Sequence, residues 1–520
     1  MTTRKLLAST ALTGGMTLIS RISGLVRDMI FAGLSGAGAS GAADAFYVAF
    51  RIPNFLRRIF GEGALSQAFI PVFAEYRARN SADDTRLFVD HITGKLAAVL
   101  FVVTLIGVIA APILVVLLAP GFYAEPSKYD LTVTMLRIMF PYLLFVSLVA
   151  LAAGVLNTVG RFGSAAFTPV LLNLCMIAAA LWIAPHLERP VLGLAWGVFI
   201  AGVAQLAFQV PFLSRVGMLP RPRLRGLHEG VKRVGRLMLP GIFGVSVAQV
   251  NLLVNTLLAS FLVTGSVSWL YYADRLMEFP LGIFGIALAT VILPSLSQQH
   301  AAASPEDFSH LLDWGLRWVL IISIPASAAL VVLSGPMMAT LFHFGKFDAV
   351  DVQMSAQALM AFSLGLVAFT VIRVLAPGFY ARQDTKTPVK VGTIALIANI
   401  GFSVLLVFPL AHIGLALAIS IAAFVNAALL YIRLRRDGVY QALPGWRTFL
   451  ARVVFATVVM AGSISWGTDG IETWLSAPPL VRALRLAAWI VTGIIVYGAV
   501  LFLIGMRPRH LRLKAHLSTG

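Results

Sequence analysis

Apolar stretches of eighteen or more residues follow one another along the whole chain, separated by short polar connections. Stretches of that length match the ~20 residues an α-helix needs to cross a ~30 Å hydrocarbon core. The pattern predicts helices over 8–34, 43–75, 91–118, 130–157, 164–184, 191–213 and 237–263, and then over 267–298, 315–342, 352–380, 388–409, 412–432, 447–466 and 482–506. It describes an all-α polytopic membrane protein of about 14 transmembrane helices.

One of these stretches is unlike the rest. Residues 44–76 carry Asp44, Arg51, Arg57, Arg58 and Glu62 in an apolar frame. As one helix the span would be roughly 50 Å long, so a tilt, a bend near Pro53 or a projection into the cytosol is expected. The stretch also recurs. Residues 47–61 (YVAFRIPNFLRRIFG) and 271–285 (YYADRLMEFPLGIFG) align without a gap at an offset of 224, with seven identities in fifteen positions. Arg51 and Arg275 match within that alignment, and Gly154 and Gly378 fall at the same offset.

Two copies of one helical unit follow. Residues 1–224 and 225–440 are expected to form two six-helix lobes. An even helix count makes them parallel copies, related by a pseudo-two-fold along the membrane normal. Residues 441–506 supply two additional transmembrane helices without a counterpart in the repeat, and 507–520 a basic tail.

Composition agrees, with 59% hydrophobic and 12% charged residues and a mean hydropathy of +0.88. The net charge of +18 does not point to nucleic acid, because 24 basic residues fall in connections on one side and only 5 on the other. That asymmetry places both termini in the cytoplasm. The five on the outer side are Lys128, Arg189, Lys346, Arg482 and Arg485. Cys175 is the single cysteine, and His300 and His343 have no partners at ligand spacing, so no metal site is expected. Walker loops, nucleophile motifs and paired catalytic carboxylates are missing from the sequence, which argues against an enzyme.

The candidate chemistry is cationic. Arg21, Arg27, Arg51, Arg57, Arg58 and Arg275 lie deep in predicted spans, facing Asp28, Asp44, Glu62, Asp274 and Glu278; Arg373 is a further deep arginine. Charges so placed are costly unless they face protein or a water-filled cavity. Arg21 and Asp28 share a helix face, with Arg27 turned ~120° away. Arg58 reaches Glu62 at four residues and Arg275 reaches Glu278 at three. In one reading each arginine is neutralised by a nearby acid and only holds helices together. In the other, surplus guanidinium lines a cavity between the copies that binds an anion, for which arginine's bidentate fork suits phosphate.

The segments SRISGLVRD (20–28), ADAFYVAFRIPNFLRRIFGEGALSQAFIPV (43–72), GSVSWLYYADRLMEFPLGIFG (265–285) and VLAPGFYARQDTKTPVK (374–390) resemble the MurJ (MviN) lipid II flippases of the multidrug/oligosaccharidyl-lipid/polysaccharide exporter superfamily. The resemblance covers essentially the whole chain. It implies alternating access, and movement of lipid-linked peptidoglycan precursor from the inner to the outer leaflet of the bacterial cytoplasmic membrane. It also implies a pyrophosphate site of Arg21, Arg27, Arg57 and Arg275, with Asp28, Asp44, Arg51, Arg58, Glu62, Asp274, Glu278 and Arg373 as cavity or gating positions.

Expected partners are lipid II and membrane lipids, with the cell-wall synthesis machinery as a candidate and a monomer as the assembly. The resemblance implies no cofactor; the membrane potential or a monovalent cation gradient would supply the drive. The alternatives are a flippase for another polyprenyl-linked glycan and a cation-coupled small-molecule exporter. Alanine at Arg27 or Arg275 should abolish transport and spare folding. The two C-terminal helices, rich in small residues, are expected to cradle the lipid tail.

Overall fold

A computed structural model describes residues 3–507 apart from 39, 59–62, 64, 227 and 302–303, with side chains described except at 3–13, 240–241, 243–248, 283–291 and 300–301. Among the described residues there is no strand. The helices are α1 (Thr3–Ser35), α2 (Ala42–Arg57), α3 (Ser66–Arg79), α4 (Ala82–Ile109), α5 (Ala111–Leu118), α6 (Pro126–Met139), α7 (Tyr142–Thr158), α8 (Phe162–Ala178) and α9 (Val191–Arg215). They continue as α10 (Glu229–Ser260), α11 (Ser266–Ala301), α12 (Pro305–Val332), α13 (Ser334–Phe342), α14 (Ala349–Tyr380), α15 (Lys386–Arg436), α16 (Trp446–Gly467), α17 (Ile471–Ser476) and α18 (Pro479–Leu503). Among the described residues nine helical segments are long and apolar enough to cross a membrane. This is a multi-pass membrane protein.

The repeat is written in the element boundaries. α2 begins at 42 and α11 at 266; α8 begins at 162 and α15 at 386; α4 and α5 begin at 82 and 111, α12 and α13 at 305 and 334. The break between α4 and α5 thus recurs between α12 and α13. A Cβ at Gly154 would crowd Phe69 of α3 at 3.1 Å, whereas one at Gly378 would meet Leu312 of α12 at an ordinary 3.4 Å.

The copies are not identical in their elements: α6 and α7 are separate in the first, where α14 is one helix in the second. Of the predicted helix over 43–75, the described residues form α2 to Arg57, π-helical Arg58, Gly63 and Leu65, and α3 from Ser66, while α11 runs on to Ala301. Pro53 lies inside α2 without ending it.

Two compact units divide the chain, Met1–Val267 with Phe344–Phe347, and the residues from Ser268 onward apart from those four. This boundary differs from the predicted 224/225 because α10 packs with α3, α4 and α5 of the first unit. In that unit Phe69, Phe73, Phe88, Leu156 and Val234 are fully buried in one cluster. In the second, Leu312, Val374, Phe379, Leu434 and Tyr440 form another, and α16 and α18 close a smaller one around Val453 and Ala456.

α4 starts earlier than hydropathy suggests. α4 begins at Ala82 because Ser81 caps it, its hydroxyl accepting from the Asp84 N–H at 3.1 Å, with Asp83 and Asp84 in the first turn. α15 contains both predicted spans 388–409 and 412–432. They meet at Ala411, whose backbone stands at φ 48° and ψ −129°. A Cβ at Gly414 would collide with the Leu406 backbone, so the chain turns back on itself there without a loop.

Candidate functional site

The first unit's charged residues stand on α1 and α2. Arg27 is 5% exposed and Asp28 1%. The Arg27 guanidinium donates to Asp28 Oδ1 through Nε at 3.0 Å and Nη2 at 2.7 Å, and to Asn173 Oδ1 of α8 through Nη1 at 3.0 Å. Asn173 is itself oriented by α1, donating to the Ser20 carbonyl at 2.9 Å and the Ser23 hydroxyl at 3.0 Å. Asp28 therefore serves its neighbour Arg27, although Arg21 is the residue that shares its helix face. A guanidinium can curl back along its own helix, which face geometry ignores. Arg21 is half-buried and makes no hydrogen bond or ion pair among the described residues.

The arginines of α2 and its C-cap reach α10 and their own helix. Arg51 donates to the Thr256 hydroxyl and to the Leu252 carbonyl at 3.3 Å, both on α10. Arg57 grips Asn54 Oδ1 of its own helix through Nε at 3.0 Å and Nη2 at 2.8 Å. Arg58 is exposed and donates to Gln249 of α10 at 3.2 Å. Its predicted partner Glu62 lies outside the described residues.

Asp44, 1% exposed, accepts from the Gly265 N–H at 2.7 Å and lies 3.6 Å from the ammonium of Lys128. Lys128 is buried, with 4% exposure. Sequence reading placed it among the outer connections as a topological charge, and nothing in its neighbours showed otherwise.

In the second unit Arg275 reaches Glu278 at 3.5 Å, as the three-residue spacing predicts, and lies over the Tyr271 ring. Asp274 and Arg373 are half-buried. Three further charged groups were not among the expected site residues. Asp351 accepts from Trp269 Nε1 at 2.8 Å. Arg482 donates to the Ala339 carbonyl at 2.7 Å and contacts His343 Nδ1 at 3.0 Å. Asp313 gathers the α15–α16 connection, accepting from Tyr440 at 2.8 Å, Trp446 at 2.7 Å and the Leu443 N–H at 3.2 Å, and ion-pairing with Arg317 at 2.8 Å.

Asp384 stands just before α15 and accepts from the Thr387 N–H at 3.0 Å. Hydrogen bonds from the Thr387 side chain, and then from its backbone, hold this carboxyl below the usual carboxylate range. Among the described residues no group of three or more His, Cys, Asp and Glu could hold a metal ion.

The family described as "Lipid II flippase MurJ" matches residues 35–478. The chain belongs to the lipid II flippase MurJ family. It is 47% identical over 516 residues to a probable lipid II flippase MurJ of Vibrio cholerae serotype O1, covering 98% of each chain. A solved structure of lipid II flippase MurJ in an inward closed conformation has the same fold, with a TM-score of 0.81 at 24% identity, covering 96% of this chain and 100% of that one. An inward-facing multidrug resistance MATE family transporter of the MOP superfamily shares the fold more distantly, with a TM-score of 0.66 at 16% identity over 81% of this chain and 95% of that one. The MurJ match begins at residue 35, beyond Arg21, Arg27 and Asp28, whereas the Vibrio relative covers nearly the whole chain.

Proposed function

We propose that this protein is a lipid II flippase of the bacterial inner membrane, moving the lipid-linked peptidoglycan precursor from the inner to the outer leaflet by alternating access. The observation that carries this reading is the near full-length membership of the MurJ family. The chemistry supports it. Arg21 is half-buried and makes no hydrogen bond or ion pair among the described residues, so α1 keeps a guanidinium available to an anion. A pyrophosphate linking a sugar to a polyprenol is such an anion, and arginine binds it bidentately at any relevant pH. Arg21, Arg27, Arg57 and Arg275 form the proposed pyrophosphate set. Both termini are proposed to be cytoplasmic, and the protein to act as a monomer.

Depletion in cells followed by identification of the lipid-linked intermediate that builds up tests the assignment. Accumulation of lipid II in the inner leaflet supports it. Accumulation of another polyprenyl-linked glycan, with lipid II export intact, replaces the substrate and keeps the chemistry.

A further inference from the structure

The turn between α10 and α11 is clamped by charges on two other elements of the first unit. Lys128 Nζ donates to the Thr264 hydroxyl at 3.1 Å, lies 3.6 Å from Asp44 and 3.5 Å from Glu125, and sits over the Phe122 ring at 4.3 Å. The Thr264 hydroxyl reaches Glu125 at 3.3 Å, and the next residue, Gly265, donates its N–H to Asp44 at 2.7 Å. A second tie runs from the Gly121 N–H to the Ser260 hydroxyl at 3.1 Å, where Gly121 leaves no room for a Cβ against the Ser260 backbone. Gly265 takes φ 104°, a left-handed conformation that a side chain would resist, so this turn needs its glycine.

A lysine held this far from water is uncommon, and a buried cation is tolerated only with close counter-charges. Here the counter-charges come from α2 and from the 120–128 segment, and what lies between them is the turn. α11 springs from that turn and carries Arg275 nine residues on, ~14 Å along the helix.

We propose that Lys128 is a positioning residue for transport. Its ammonium locks Asp44, Glu125 and Thr264 together, fixing the turn from which α11 starts. This rests on the flippase reading for its consequence, though the clamp itself does not.

Labelling separates the two. In a Cys175→Ala background, Ser266→Cys places a thiol at a fully buried position beside the turn. Maleimide labelling of the purified protein then reports release of the clamp without any substrate. Lys128→Met and Thr264→Val should each raise the labelling rate roughly tenfold, since the first leaves a buried charge uncompensated and the second removes the tie alone. Lys128→Arg should stay within about twofold of the parent, because it keeps the charge.

In proteoliposomes, Lys128→Met and Thr264→Val should lose lipid II transport roughly in proportion to their labelling, with Lys128→Arg largely active. Unchanged labelling in both disruptive variants overturns the clamp. Raised labelling with undiminished transport overturns the positioning role. A parent protein that labels as described yet moves no lipid II overturns the flippase reading and leaves the clamp standing.

Discussion

Arg21 and Arg27 stand six positions apart on α1 and meet different surroundings. Arg27 is closed into Asp28 and Asn173. Removing its guanidinium breaks a buried ion pair, a change of about 3–5 kcal/mol. Arg27→Ala should therefore lower the melting temperature as well as transport, revising the expectation that alanine there spares folding. Arg21 is half-buried and unpartnered among the described residues, so Arg21→Ala should stay within about 0.5 kcal/mol of the parent while lipid II transport collapses. Thermal unfolding of both purified variants beside proteoliposome transport checks the pair of outcomes. Equal melting losses would place Arg21 in the fold, not in the site.

The connection between α9 and α10 shows how an element is held by few groups. Asp90 of α4 accepts from the Arg221 N–H through Oδ1 at 2.7 Å and from the Arg223 N–H through its carbonyl at 3.1 Å. His228, capping α10, packs on Tyr76, Phe88 and His91. Burial, then His91 and Lys95, push its imidazole below the ordinary value of about 6.5, outweighing Asp84 and Glu229. The folded protein then binds fewer protons than the unfolded chain near that pH. Stability is complete above it and falls as the pH drops through 6.5 toward the depressed value. Melting curves from pH 8 to 5 should show this loss, and His228→Gln should flatten it.

The C-terminal helices alter an earlier expectation. Gly493 faces Ile464 of α16, where a Cβ would stand 2.9 Å from that side chain, so its smallness lets α18 meet α16. Gly493→Trp should unfold this pair and says nothing about a lipid tail. Ala499 is exposed, and Ala499→Trp is the cleaner probe. It should impair transport of full-length lipid more than that of a short-chain analogue if a tail lies along α18. Equal impairment would remove the tail from that helix.

At the scale of the molecule, hydropathy and a single offset of 224 foretold most of the architecture. Long apolar runs and repeated registers are additive signals, readable one residue at a time. The early start of α4 was hidden because it depends on a cap, and the two spans 388–409 and 412–432 were legible while the tightness of their turn at Ala411 was not. The arginines were legible as rare charges in apolar frames. Their partners were not: Asn173, Lys128 and Asp313 look like ordinary polar residues until distant segments meet. Net transport of an anion outward should be driven by an inside-negative potential, ~2.3 kcal/mol per elementary charge for 100 mV. Flipping in proteoliposomes with an imposed potential and no ion gradient should exceed flipping at zero potential. Identical extents would leave the drive to a cation gradient.

The loopless reversal at Ala411 also bears on biogenesis. With no residues to spare between its arms, α15 cannot place one arm in the bilayer while the other waits outside. The two must leave the translocation channel as a single hairpin. Either arm can then compensate a weakness in its partner. A charge introduced at Ile397, exposed on the first arm, should be tolerated by the inserted hairpin, yet should block integration of that arm fused alone to a reporter.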